Sequence, residues 1–339
     1  MLKISKKVKT VLIACFSVVL FFAVALLGIR LYFRAPVKDY YNASEKAFVI
    51  PEIGNGFVPQ GFCYDKQKGL FLTSGYYSND KPSTVHVIEK KSGNAIYSVE
   101  LLNEDGTPHT GHAGGVAQYK DWVYIAGSSS HCIYVYSYSQ ILSGEKQVKA
   151  LGSYSLEVTD DDYLKASFVS VMNNKLIVGE FFSEPRYKTL DAHKITSKNG
   201  EEFGGIALEY SLSADFEYGI ASTPIRAYAL PDKVQGLYFD NEKVYLSTSL
   251  GRLKHSYILE HDYSKLEQGE RIEILGQKVD LKIFVSQSLA KSYKLPPMSE
   301  EIALVQGKLY VMSEFASNKY ILGKFTSAKW CYCTDLSKM

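Results

Sequence analysis

Two imidazoles stand three residues apart in His109-Thr-Gly-His112, the sharpest local constellation in the chain. With Glu180 or Glu300 brought near, such a pair could hold a divalent cation. Nothing in the spacing supplies a helix to fix both rings, so His109 and His112 are weak metal candidates, and His112 serves equally well as a hydrogen-bonding side chain. No other cofactor signature is present. There is no Gly-x-Ser-x-Gly elbow, no cysteine beside an evident histidine partner, no phosphate loop and no dinucleotide fingerprint. If the chain does chemistry, carboxylates are the groups left to do it. Glu180, Glu300 and Glu314 are the candidates for a general base, because each falls at the end or start of an apolar stretch rather than in a charged run.

What positions them is a repeat. VQGLYFDNEKVYLSTSLG, from Val234 to Gly251, reads as two β-strands around a tight turn. Related sentences begin at Pro59, Gly114, Ala166 and Glu300. Aligned on Gly61, Gly115, Phe168, Gly236 and Glu301, the steps are 54, 53, 68 and 65 residues. Each step has room for four strands, and no convincing helical period appears after the anchor. The expected fold is all-β, a five-bladed β-propeller following an N-terminal transmembrane helix. Six blades is the alternative, with a degenerate repeat between Tyr263 and Leu295. Phe48–Ile50 precedes the first inner strand and is expected to complete the last blade. Trp330–Thr334 and Tyr320–Phe325 are expected strands of that blade. In the fourth, Arg271–Leu275 and Leu281–Val285 compete for the outer place, and Gln287–Lys294 reads as a helical turn.

In a propeller, the starts of the inner strands and the ends of their neighbours gather at one mouth of the central channel. That mouth is expected to receive Gln60, His112, Ser167, Gln235, Glu300 and Glu301 from strand starts. Glu180 and Glu314 arrive from strand ends, and Arg186, Tyr187, His193 and Arg252 from the loops that follow. These twelve are the expected ligand-binding residues, with Arg186 and His193 on an adjustable third-blade loop. The competing explanation is that they bond one another and trapped water. The opposite mouth is fed by short turns such as Asp65–Lys68 and Asp240–Lys243.

Phe57-Val-Pro-Gln-Gly-Phe62, followed by Leu70-Phe-Leu-Thr-Ser-Gly75, resembles the plant and bacterial type of glutaminyl cyclase. That family is a five-bladed propeller, so the resemblance implies the fold. It covers about twenty residues of the first blade and, more loosely, the repeat layout. The two glutamates it would require fall on Leu72 and Gly114, which cannot move protons, so cyclase activity is not implied. The strictosidine-synthase and gluconolactonase propellers share general blade character, without a residue-by-residue match to their metal ligands.

The first forty residues are a separate object. Lys3, Lys6, Lys7 and Lys9 precede an uncharged apolar run from Val11 to Ile29, followed by Arg30, Arg34 and Lys38. Nineteen residues at 1.5 Å each span roughly 28 Å, the thickness of a bilayer's hydrocarbon core. The only small-x-small cleavage pattern, Ala23-Val-Ala25, lies inside the run, so the segment reads as an uncleaved signal anchor. The charge balance favours a cytoplasmic N-terminus only slightly, which puts the rest of the chain outside the cytoplasm. The domain expectation is a cytoplasmic tip and anchor at 1–34, a polar tether at 35–46 and the propeller at 47–339.

Composition excludes several classes. A formal net charge of +2 over 339 residues gives no field that would draw nucleic acid. Five cysteines make no disulfide framework, and Cys331 and Cys333 read as plain strand residues. The picture is of a bacterial membrane protein, expected to be monomeric, that binds a polar ligand or a cell-envelope partner at one channel mouth. A hydrolase or lyase built on the mouth carboxylates, with or without a metal, is the alternative.

Overall fold

The structure is a computed structural model describing residues 5–79 and 81–339; Lys3, the first of the N-terminal lysines, lies outside the described residues. A 29-residue helix, Lys6–Arg34, begins at Ser5, whose hydroxyl accepts from the Val8 N–H. Its apolar side chains are exposed all round as far as Leu27; Ile29 is half-buried and Phe33 is buried. It is the one helix among the described residues long and apolar enough to cross a membrane.

The stretch expected as a tether is instead ordered. A 3-10 turn at Ala35–Val37 leads into a short helix, Lys38–Asn42. Val37 and Tyr40 are buried, and the Tyr40 ring packs edge-on against Tyr332 at 5.7 Å. Polar residues at 38, 39 and 42 hid an apolar face at 37, 40 and 41 that follows helical spacing.

Beyond it the chain is an all-β propeller. The first sheet comprises Phe57–Asp65, Leu70–Tyr77, Thr84–Glu89 and Ala95–Leu102, with Gln147–Lys149 added in parallel at its edge. The second holds Val116–Tyr119, Trp122–Gly127, Cys132–Ser137 and Gly152–Ser155. The third runs Phe168–Met172, Lys175–Gly179, Gly205–Ser211 and Arg226–Leu230 before an annex described below. The fourth has Val234–Asp240, Lys243–Thr248, Ser256–Asp262 and Leu289–Leu295. The fifth has Ser299–Val305, Lys308–Ser313 and Trp330–Thr334, and its outermost strand is Ser44–Val49 from the start of the chain. The five first-named strands neighbour one another in order, and the last returns to the first. Large buried side chains such as Tyr124, Tyr136, Tyr210 and Phe168 fill the space between and within the sheets.

Several outer elements differ from expectation. Leu289–Leu295 is the outer strand of the fourth sheet, pairing antiparallel with Ser256–Asp262, where a helical turn was expected. Ala290-Lys-Ser is compatible with either state, and an open strand edge decides it. Gln277–Ile283 leaves the fourth repeat altogether. It pairs in parallel with Arg226–Leu230 of the third sheet and carries Ile272–Ile274 and Glu267–Gln268 on its other side. Residues 321–325 form a 3-10 helix, not a strand. Two strands close in sequence go to different sheets, Gln147–Lys149 to the first and Gly152–Ser155 to the second.

Candidate functional site

Three of the innermost strands share one irregularity near their start. Pairing shifts between Pro59 and Gly61, between Val234 and Gly236, and between Ser299 and Ile302. The skipped residues are Gln60, Gln235, Glu300 and Glu301. A bulge leaves its extra residue out of the ladder and re-aims its side chain, which is how a strand can present one polar group at a channel mouth.

The repeat-aligned positions explain the interior below that mouth. Gly61 and Gly115 approach the next strand so closely that a Cβ on either would collide with backbone, and a Cβ on Gly236 would meet the Glu301 side chain at 2.8 Å. In the fifth repeat the aligned position is Glu301, which occupies the space the glycines leave. Its carboxylate accepts from the N–H groups of Phe62 (2.7 Å), Val116 (3.1 Å) and Val169 (2.9 Å), each the residue after the aligned position in its own repeat. Burial pushes the Glu301 carboxyl well up, and the three amide donors pull it back. Glu301 is therefore spent on the scaffold, joining three strands at the axis, and does not line the ligand cavity.

Above it opens a cavity of about 1080 Å³. All five sheets contribute walls. Gln60 and Tyr76 come from the first; His112, Gly114, Ser128 and Ser129 from the second. Lys165, Ser167 and the loop Phe181–Lys188 come from the third, Gln235 and Ser249–Arg252 from the fourth, and Met298, Glu300, Glu314, Lys319 and Tyr320 from the fifth. Of the expected twelve, Gln60, His112, Ser167, Arg186, Tyr187, Gln235, Arg252, Glu300 and Glu314 line this cavity.

Two carboxyl groups sit in its floor. Glu314 accepts from Gln60 Nε2 at 3.1 Å and from the Tyr320 hydroxyl at 3.2 Å. Burial lifts its pKa from 4.5 to about 7, against the opposing pull of Lys319, Tyr320, Gln60 and Arg252. Glu300 is also buried, and burial followed by the Glu314 charge holds its carboxyl well above the usual range. Its backbone carbonyl accepts from Ser247 Oγ at 2.7 Å, but its carboxyl makes no hydrogen bond among the described residues. Two such groups at neighbouring positions can hold one proton and offer one lone pair, the requirement of acid–base chemistry.

The walls are cationic and aromatic. Arg252 lies over the Tyr320 ring at 4.8 Å, Lys319 over Tyr76 at 4.7 Å, and Arg186 over Tyr187 at 5.3 Å. His112 packs edge-on against Tyr76 at 4.7 Å, and burial with the Lys319 charge lowers its pKa, keeping the ring neutral. Gln235 donates to Ser249 Oγ at 3.4 Å.

Glu180 and His193 do not reach the cavity. Both are buried and bonded to each other, Nδ1 to Oε2, at 2.8 Å. The remaining Glu180 capacity accepts from Lys165 N–H at 3.3 Å and Ile206 N–H at 3.2 Å. The third-sheet loop that carries His193 is pinned there by a 3-10 turn at Asp191–His193 and a small hairpin, Ile195–Thr196 with Glu202–Phe203. His193 is thus an anchor of that loop, and Arg186 alone of the two faces the cavity.

The His109–His112 pair does not converge. His109 contacts Asn103 Oδ1 at 3.1 Å and packs on Tyr134, whereas His112 turns to Tyr76. Among the described residues no group of three or more His, Cys, Asp or Glu is placed to hold a metal ion.

Tyr76, Lys165, Phe181, Lys319 and Tyr320 line the cavity without having been expected there. Lys319 and Tyr320 were hidden because Tyr320–Phe325 read as a strand leading away from the mouth. Tyr76 was hidden as one more aromatic in the apolar strand Leu70–Tyr77.

No protein family and no curated relative matches the chain. Solved structures similar to it include a glutaminyl cyclase from Myxococcus xanthus, 12% identical over 86% of this chain and 94% of that one, with a TM-score of 0.40. A luciferin-regenerating enzyme is 12% identical over 84% and 93%, with a TM-score of 0.40. A PQQ-bound aldose sugar dehydrogenase from Streptomyces coelicolor is 11% identical over 85% and 95%, with a TM-score of 0.44. At these values the likenesses carry no argument about chemistry, and the propeller rests on its own sheets. At the positions a cyclase would need, Leu72 is wholly buried and a Cβ on Gly114 would meet the Ser167 carbonyl at 2.6 Å.

Proposed function

We propose that this is a membrane-anchored propeller of five blades, with its β-domain outside the cytoplasm, that binds a polar ligand at one mouth of its channel. The observation that carries this is convergence: side chains from five sheets, scattered from Gln60 to Tyr320, meet in one cavity of about 1080 Å³. The blade count is supported by five inner strands that neighbour one another in a closed order. The anchor is the apolar helix Lys6–Arg34, residues 35–43 dock against the sheets, and the propeller division is drawn from Ser44, because Ser44–Val49 is its closing strand. Gln60, His112, Ser167, Arg186, Tyr187, Gln235, Arg252, Glu300 and Glu314 are the residues proposed to meet the ligand.

A second reading has a specific observation in its favour. Glu314, with a pKa of about 7, beside the equally buried Glu300 is suited to a hydrolase or lyase. In that case Glu314 takes the proton and Glu300 supplies one, while Arg252 and Lys319 stabilise developing negative charge.

The test uses the full-length chain in lipid nanodiscs, titrated calorimetrically with N-acetylglucosamine and with glycerol phosphate as probes. A one-to-one heat that Glu314→Gln or Arg252→Ala weakens by tenfold to a hundredfold, at unchanged melting temperature, supports binding at the mouth. Probe binding indifferent to both substitutions contradicts it.

A further inference from the structure

The membrane helix and the cavity share a wall. The apolar run ends at Ile29, and Phe33 lies about 6 Å further along the helix axis. Phe33 packs edge-on against Phe315 at 5.4 Å, and Arg34 Nη1 donates to Ser327 Oγ at 3.3 Å. The segment between those two contacts is the one that supplies Lys319 and Tyr320 to the cavity, and Glu314 precedes it directly. Phe33, Phe315 and Tyr320 belong to one buried cluster. The residue after Tyr320 is Ile321, 76% exposed and followed by the exposed Lys324. An apolar tip with a lysine beside it, on a 3-10 turn that packs against the N-terminal helix, has the composition of an interfacial contact.

The cavity itself is built for negative charge. Arg186, Arg252 and Lys319 face it, and none forms an ion pair with a carboxylate among the described residues. Each is held over a tyrosine ring instead, which orients the cation without neutralising it.

We propose that the cavity takes the anionic headgroup of an amphiphile whose tail stays in the bilayer, delivered past Ile321 to Arg252 and Lys319. This rests on the reading of the mouth as the ligand site and adds the ligand's class and its source. The polar floor would then meet the headgroup's hydroxyls, and the tyrosines its carbon skeleton.

The experiment places the full-length chain in phosphatidylcholine nanodiscs doped with phosphatidylglycerol. Native mass spectrometry counts retained anionic lipid, and a calorimetric titration measures soluble glycerol phosphate in undoped discs. The proposal expects one phosphatidylglycerol per chain, at least tenfold less with the double substitution Arg252→Gln and Lys319→Gln. Ile321→Asp should lower lipid retention while leaving glycerol phosphate binding unchanged. Melting curves on the same discs show whether each variant is folded, and Arg252→Lys, which keeps the charge, should restore part of the retention. Glycerol phosphate binding as tightly as the lipid, with Ile321→Asp without effect on either, would overturn membrane delivery and leave the polar-ligand reading standing. Failure of both anions would also overturn it; N-acetylglucosamine binding that Glu314→Gln abolishes would then show that the mouth is a site for a different ligand.

Discussion

The Glu301 carboxylate accepts a hydrogen bond from the Val169 N–H at 2.9 Å, joining the fifth repeat to the third across the propeller axis. The same carboxylate holds Phe62 and Val116, so one side chain serves amides from three sheets. It can do so because Gly61, Gly115 and Gly236 leave the axis open.

Glu301→Gln should therefore be a folding mutation. The amide keeps one acceptor oxygen but turns an NH₂ toward a backbone N–H, leaving donors unpaired in a buried site. The expected cost is about 1–3 kcal/mol, read as a lower denaturant midpoint, with ligand affinity unchanged in the folded fraction. A midpoint equal to the parent's would remove Glu301 from the scaffold.

His193→Ala should likewise act on stability. It takes the side-chain donor at 2.8 Å from a Glu180 carboxylate that is itself buried. A loss of roughly 1–3 kcal/mol is expected, along with faster proteolysis in the loop at 183–204. An intact melting curve with lost binding would restore His193 to the ligand site.

Acidity should stabilise the mouth. Glu314 titrates near 4.5 when unfolded and at about 7 when folded, so between those values the folded state binds more protons. Stability from this group is fully present below about 4.5 and is lost as pH rises through 7. Its size is on the order of 3 kcal/mol, and Glu300 acts with the same sign. The melting temperature should fall from pH 5 to pH 8, and Glu314→Gln should flatten the slope. A slope of the opposite sign, or one that Glu314→Gln leaves unchanged, would count against the buried carboxyl pair.

Closure by the N-terminal strand sets where the chain can be cut. Ser44–Val49 pairs with Trp330–Thr334, and Phe33, Val37 and Tyr40 are buried. Removal of residues 1–27 should leave the fold intact, whereas removal of 1–52 should expose the edge at Trp330–Thr334 and cause aggregation. Light scattering of the two truncations distinguishes them; equal solubility would contradict closure.

The inner strand pairs were legible because each carries a period-2 pattern around a tight turn, repeated at steps of 53 to 68 residues. The mouth followed from topology, since strand starts meet at one end whatever the outer strands do. Outer strands were less legible. Gln277–Ile283 and Leu289–Leu295 have similar local character, and only the availability of sheet edges sends one to the third sheet and the other to the fourth. Glu301 looked like its neighbour Glu300 because a bulge separates their fates, and no sequence pattern marks which carboxylate turns to the axis. Glu180 was displaced by a partner thirteen residues away in a loop that read as polar and mobile.

Reaction of the full-length chain with a hydrophobic carbodiimide at pH 6.5, mapped by peptide mass spectrometry, separates the mouth carboxyls from the scaffold carboxyls, because that reagent adds to protonated, reachable carboxyl groups. Modification is expected at Glu300 and Glu314, declining as pH rises past 7, with Glu180 and Glu301 untouched because protein donors enclose them. Modification of Glu301 or Glu180 with Glu300 and Glu314 spared would contradict it, for the working carboxyls of the mouth would then be the ones assigned to the scaffold.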